Sequence, residues 1–387
     1  MRRFSMILAL AFLAPAASPA LAQDKPAAAA QDSGAPAIEE PRVYTEWEGF
    51  FVKDGLPSDK VYCVAIDGEK VWVGTDNGLA LRQKGKWRSF GTKDGLAHRA
   101  VISLTVDRES HDVWLGTMGG GINRISSGRF ETFNQFNSGL PNDVVFGICA
   151  ENQNIWVATT SGEGRLKIRE GKWDVYTPAN SPQHEPWGYA VDYNDGKVWA
   201  ALWGGGALEF DVATEKWKAY TDPDGEMEID LFRDDGIIHV ITTGVCYREK
   251  ILWVSTYFGA SSYDGHKWRG YMDHDTGLVS NFVNNVRARG KTAYLSTDKG
   301  LSSVHYDTNR WVTYTPVNGP REGDKGWEAR IFQEGNLLEK RPLKTGLTNN
   351  FIWFSEFQGD DIWVCTSRGL SHGIWKGAPV KETAVVK

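Results

Sequence analysis

Cysteine is scarce and scattered in this chain. Four occur among 387 residues, Cys63, Cys149, Cys246 and Cys365, with no Cys-x-x-Cys pair and no Cys-x-x-Cys-His. That spacing argues against zinc ribbons and covalent c-type haem. Long apolar runs are also missing. Beyond the N-terminus no stretch reaches 18 apolar residues, so no integral membrane segment is expected. There is no basic excess. The net charge is −6, which argues against a nucleic-acid partner. Catalytic motifs are absent too, and the eight histidines are dispersed.

What the N-terminus does carry is an export signal. Arg2 and Arg3 precede the apolar run Phe4 to Leu13, and Ala20-Leu21-Ala22 is a small-x-small cleavage site. Residues 1–22 read as a secretory signal peptide cut near Ala22. The mature chain is expected in the periplasm or outside the cell. Residues 23–41 are rich in Ala, Pro and Gln, lack aromatics, and read as a flexible linker. A single folded domain is expected over 42–379, with a tail at 380–387.

The folded part repeats itself. Val71-Trp72-Val73-Gly74-Thr75 returns as Val113-Trp114-Leu115-Gly116-Thr117 and as Ile155-Trp156-Val157-Ala158-Thr159. Weaker copies centre on Trp199, Trp253, Tyr294 and Trp363, which makes seven. Their spacings are 42, 42, 43, 54, 41 and 69 residues. A period slightly above 40 suits four short strands per unit. Each unit opens with Gly-Leu, as at Gly55, Gly95, Gly139, Gly277 and Gly346. A β-branched residue follows six positions later, then the Trp strand, a glycine-rich turn, and an outer strand such as Trp173-x-x-Tyr176. The 17 tryptophans fit flat fillers between twisted sheets.

The fold expected is therefore all-β: a seven-bladed β-propeller of four-stranded antiparallel blades. The seventh unit fades near Trp375 without an outer strand. Val43-Tyr44-Thr45-Glu46-Trp47 supplies it, so the N-terminal strand closes the last blade and protects its edge. An eighth, degenerate blade before Gly346 is the alternative. The cysteines fall in strands and read as buried small apolar residues. Export permits disulfides, and the pair to examine is Cys63 with Cys365, which the ring brings side by side.

The run Asp54-Gly55-Leu56-Pro57 through Trp72-Val73-Gly74-Thr75-Asp76-Asn77-Gly78-Leu79 resembles the two-component regulator propeller repeat. So does Ser138-Gly139-Leu140-Pro141 through Trp156. The resemblance covers about 330 residues. It implies a WD40-like propeller with a recognition role, usually the exported sensor half of a membrane histidine kinase, and in some members a carbohydrate reader. This sequence carries no kinase, transmembrane or DNA-binding segment, so signalling by the chain itself is not implied.

Candidate site residues cluster on the face holding the Gly-Leu loops and the Gly-rich turns. They are Asp59, Lys60, His98, Arg99, Asn142, Asp143, Trp187, Trp203, Tyr257, Phe258, Asn281, Asn349 and Asn350. Aromatics beside amides and carboxylates suit a carbohydrate or peptide-like ligand, or an envelope protein partner that uses the chain as a scaffold. The competing reading is that the polar members satisfy turn backbone. Pro316 to Lys344 is the longest insertion; with Trp327, Ile331 and Phe332 it reads as a lid or docking element. Asp222, Asp224, Glu226 and Glu228 could offer oxygens to Ca²⁺, against the simpler reading of a solvated acidic loop. No other cofactor is expected and no catalytic residue is assigned. The enzyme alternative, a lyase or hydrolase at the channel mouth, would draw on His98, His184 and His239; the repeats are loosely similar to streptogramin lyase-like proteins. Asp211 to Trp217 is similar to a quinone-dehydrogenase docking motif, but occurs once, lacks its Gly, and is explained by a hairpin.

Overall fold

Seven antiparallel sheets carry the chain, in a computed structural model that describes residues 40–223, 233–317 and 326–377. The stretch read as a signal peptide, most of the stretch read as a linker, and the expected C-terminal tail lie outside the described residues. Blade one runs Val61–Asp67, Lys70–Thr75, Gly78–Gln83 and Lys86–Phe90, from the channel outwards. The next four blades repeat that order. Blade seven is built from Ile352–Gln358, Asp361–Thr366 and Gly369–Ile374, and Glu46–Phe50 pairs with its third strand as the outer member. N-terminal closure is thus observed, three residues later than Val43. Tyr44 still contributes: it is fully buried, and its amide donates to the Tyr314 hydroxyl at 2.8 Å.

Blade six departs from four strands. A hairpin, Trp327–Gln333 and Asn336–Pro342, adds to its outer strand Arg310–Pro316 and makes six. The described part of the long insertion is therefore not an eighth blade but a hairpin on the outer edge of blade six. It extends one sheet outwards, because its alternating residues find hydrogen-bond partners on the open edge of blade six. Residues 318–325 of the insertion lie outside the described residues.

The repeat motif has three physical causes. First, the large ring of the second strand fills the space between blades. Trp114, Trp156, Trp199, Trp253 and Trp363 are all below 3 % exposed, each burying on the order of 200 Å². Second, the residue two after the Trp must be small. A Cβ on Gly74 would stand 2.8 Å from the Val101 side chain of the next blade, and one on Gly116 would do the same to Val145. Ala158, Ser255, Ser296 and Cys365 hold that place in other blades. Third, the Thr closing the strand caps the turn. The Thr75 hydroxyl donates to Gly78 O at 2.9 Å and accepts from the Asn77 amide at 3.1 Å. Thr117, Thr159, Thr256, Thr297 and Thr366 make the same bond.

The four cysteines are free and buried. No Cys63–Cys365 bridge forms. The Cys63 thiol instead points at Val101 O of the next blade, 3.7 Å away, and burial raises the pKa of every one of the four thiols. Buried thiols are inert. Native protein is expected to show no rapid reaction with a thiol reagent, and four equivalents after denaturation without reductant. Two equivalents would mean that a disulfide forms.

Candidate functional site

The innermost strands of all seven blades line one central channel with a cavity of about 980 Å³. Every one of these strands carries a β-bulge at the same place, after its first residue. A bulge leaves one residue outside the ladder and re-aims its side chain. The seven bulged residues are Tyr62, Ile102, Phe146, Tyr189, Thr243, Asn284 and Trp353, and all seven line the channel. The fold thus builds a ring at the end of the channel nearest the Gly-Leu loops. Four of its members are aromatic.

Loop aromatics extend that ring. Trp187 stacks on Trp203 with centroids 5.6 Å apart and planes at 27°. Trp203 meets Tyr189 at 5.7 Å and Tyr257 at 4.9 Å. Phe146 stacks on Tyr189 at 5.2 Å, and Tyr257 on Phe282 at 4.2 Å. The result is a continuous aromatic arc across blades three to six. Trp187 and Phe258 are each 39 % exposed, so ring surface faces solvent. On the opposite side Tyr62 and Trp353 pair edge to face at 5.6 Å, with the Lys60 ammonium 5.3 Å from the Tyr62 ring.

Blade four explains why Trp203 is available. Its second strand ends in Leu202 where the other blades have Thr or its equivalent. Thr242 of blade five replaces the missing hydroxyl, donating to Gly206 O and receiving the Leu202 amide at 2.8 Å. The turn is held from outside, and Trp203 is free to stack.

Deeper in the channel lies a chain of charges. Asp192, Arg248, Arg287 and Glu356 come from blades four to seven in order. Arg248 and Arg287 reach Asp192 at 2.7 and 3.2 Å, and Arg287 reaches Glu356 at 2.6 Å. Burial alone would push Asp192 up, but the two guanidiniums outweigh it and hold the carboxyl below its usual range. The fifth residues of the innermost strands in blades one to three are Ala65, Thr105 and Cys149. At the level of the fifth residue the channel is thus charged at blades four, six and seven and small and neutral at the others, while Asp67 and Asp107 line it at blades one and two.

The polar candidates mostly hold turns. Asn142 Oδ1 accepts the Val144 amide, Asn349 Oδ1 the Phe351 amide, and His98 Nδ1 the Ala100 amide. His239 Nδ1 does the same for Ile241. Ser58 and Ser280 occupy the matching positions, three residues after the opening Gly. Two of the three histidines considered for catalysis are therefore members of a repeated turn, and His184 is solvent-exposed. Asp59, Asp143 and Asn281 each accept a backbone amide with their side chains. Arg99 is exposed and Asn350 half-buried.

Trp327 belongs to the outer edge of blade six. It starts the blade-six hairpin and packs under Gly346, where any Cβ would collide with its ring. In blades one, two and six the opening Gly meets the first outer-strand aromatic of its own blade. For blade seven the hairpin provides that ring. Of the acidic stretch, Asp224, Glu226 and Glu228 lie outside the described residues, and Asp222 is an engaged side chain. Among the described residues no three His, Cys, Asp or Glu side chains are grouped to hold a metal ion.

Residues missed in the sequence are the bulged aromatics Tyr62, Phe146, Tyr189 and Trp353. A signal was present: each lies one position after the β-branched or small residue that opens the innermost strand.

No protein-family model and no curated protein sequence matches this chain. Solved structures do. One is the extracellular domain assigned to the hybrid two-component system BT4673 of B. thetaiotaomicron, with TM-score 0.63 and 16 % identity over 86 % of this chain. Another is the corresponding domain of BT3049 from the same organism, with TM-score 0.61, 14 % identity and 84 % coverage. This chain spans about 40 % of the length of those two. The computationally designed Ika8 protein also matches, with TM-score 0.51, 12 % identity, and coverage of 82 % of this chain and 96 % of its own. At such identities the likeness is one of fold.

Proposed function

We propose that this protein is an exported binding module of the bacterial envelope, which takes its ligand or protein partner at the loop-face mouth of the channel. The carrying observation is the aromatic arc, set by bulges in the ladder and extended by the exposed face of Trp187. Burying such rings in a core would be ordinary; leaving two adjacent ones stacked at a concave mouth suits recognition. Export follows from the signal peptide read in residues 1–22, and the solved propellers of similar fold are extracellular domains. Flat ring faces beside amide groups suit a carbohydrate or peptide-like ligand, or an apolar side chain of a partner protein. Ca²⁺ in the 222–228 stretch belongs with this proposal as an accessory.

Glycan and peptide arrays, together with crosslinking in native envelope, would supply the ligand. Trp187→Ala and Trp203→Ala are then each expected to weaken its binding about tenfold or more, since a central aromatic contact contributes roughly 1–3 kcal/mol. The melting temperature of Trp187→Ala should stay close to that of the parent. Unchanged affinity in both variants, measured by calorimetry, would place the site elsewhere.

A further inference from the structure

Each seam between neighbouring blades is plugged at three equivalent positions. One follows the turn glycine of the third strand. One follows the residue that opens the next blade. The last is the first residue of the next innermost strand. Between blades one and two these are Leu79, Leu96 and Val101; between six and seven, Leu301, Leu347 and Ile352. Five of the seven seams fill with three such apolar residues. The seam between blades three and four does not. There the same positions hold Glu163, Gln183 and Gly188.

This polar plug is buried. Glu163 is 0 % and Gln183 3 % exposed. Both carboxyl oxygens of Glu163 and the amide oxygen of Gln183 lack a hydrogen-bond partner. Gly188 makes the room, because a Cβ there would collide with Glu163 Oε1. Three departures from the repeat thus meet at one point and fit one another, and an accidental Leu-to-Glu change would not bring its own glycine. The point lies directly beneath the arc. Gly188 joins Trp187 to Tyr189, and the Trp187 carbonyl receives the Trp203 amide at 2.9 Å.

A charge on Glu163 would meet no cation, its own backbone amide being the only offset to burial. On its own strand Arg165 is held by Glu151 and Glu215. Across the sheet it faces Ala158 on one side and Tyr176 on the other. The next blade offers Gly188. His184 and Glu185, in the overlying loop, are exposed. Burial accordingly pushes the carboxyl up to about 8.

We propose that Glu163 is a positioning residue for the loop-face aromatics: uncharged, it holds the Pro182–Trp187 loop against the seam, and ionised, it releases that loop. Loss of the proton leaves a bare carboxylate in an apolar seam, and the least costly relief is to lift the loop and admit water. The inference rests on the proposed site for its meaning, but its test uses no ligand, so the two can fail separately.

The test is hydrogen exchange read by mass spectrometry on the full chain, comparing wild type, Glu163→Gln and Glu163→Leu. Comparison at matched pH cancels the intrinsic chemistry of exchange. At pH 4, below the ordinary carboxyl value of 4.5, the three proteins should exchange alike over 177–206. At pH 9 the wild type should exchange there at least about tenfold faster than either variant, because a carboxyl held at about 8 when buried and at its ordinary 4.5 when solvated favours the opened seam increasingly as pH rises. Blades one and six should not differ. Equal exchange at pH 9, or acceleration spread evenly over all blades, would overturn the proposal. Should a variant fold poorly, infrared spectra of the wild type decide. A protonated-carboxyl band at pH 6.5 that disappears by pH 9.5 supports the inference, and its absence at pH 6.5 overturns it.

Discussion

Glu163→Gln is expected to unfold hotter than the wild type at pH 8.5 and to match it at pH 4. The reason is linkage. Glu163 has a folded-state pKa of about 8 against an ordinary value of 4.5. Between those values the folded chain binds more protons than the unfolded one, so stability falls as pH rises through that window. Below it both states are protonated and the penalty vanishes; above it the full penalty applies. A gap of that size corresponds to roughly 4–5 kcal/mol at most. Glutamine keeps the shape without the charge and removes the pH dependence. The gain at pH 8.5 should be on the order of 5–10 °C in melting temperature. Parallel pH profiles of the two proteins would show that Glu163 stays ionised in the folded state, contrary to its burial.

Arg287→Met is expected to cost about 3–5 kcal/mol, the typical loss when one partner of a buried ion network is removed. The guanidinium bridges Asp192 and Glu356 across the channel. Without it Glu356 keeps its charge but loses its cation, while Asp192 retains Arg248. The double variant Arg287→Met with Glu356→Leu should therefore recover much of the loss, because the remaining Asp192–Arg248 pair is neutral and apolar groups replace the rest. Denaturant midpoints for both variants provide the check. A double variant less stable than the single would mean that the chain contributes through packing geometry and not through charge pairing.

Most of the architecture could be read from the residues because a propeller repeats its physics. The small residue after each Trp, the capping Thr and the Gly before each loop recur wherever the same backbone approach recurs. Once Trp72, Trp114 and Trp156 are aligned, blade number and closure follow. The polar loop candidates were legible as positions but ambiguous as roles. Asn142, Asn349, His98 and His239 read equally as ligand groups or turn acceptors, and the hydrogen bonds to Val144, Phe351, Ala100 and Ile241 decide for turns. Cys63 and Cys365 are in adjacent blades, as the ring requires. Proximity of strands does not make a disulfide when each thiol is aimed into a different seam.

The extended hairpin of blade six shows a different limit. Residues 327–342 alternate as strands do, yet alternation alone does not say which sheet edge they join. In the sequence Trp327 reads as part of a lid or docking element. Its ring instead fills the space over Gly346, a contact visible only when the last blade is assembled.

The sequence by itself determined what is local or periodic: seven sheets, buried tryptophans, small residues at the blade contacts, and an N-terminal strand that completes the ring. Tertiary structure alone decided what depends on residues far apart in the chain meeting at one seam. The bulges aim Tyr62, Phe146, Tyr189 and Trp353 into one mouth, the charges of four blades join across the channel, and Glu163, Gln183 and Gly188 converge under Trp187. At the junction of blades three and four Pro182-Gln183 stands where five other blades have Gly-Leu, so the phase of the repeat is hidden there. Packing restores it, because the next innermost strand can enter the ring at only one height.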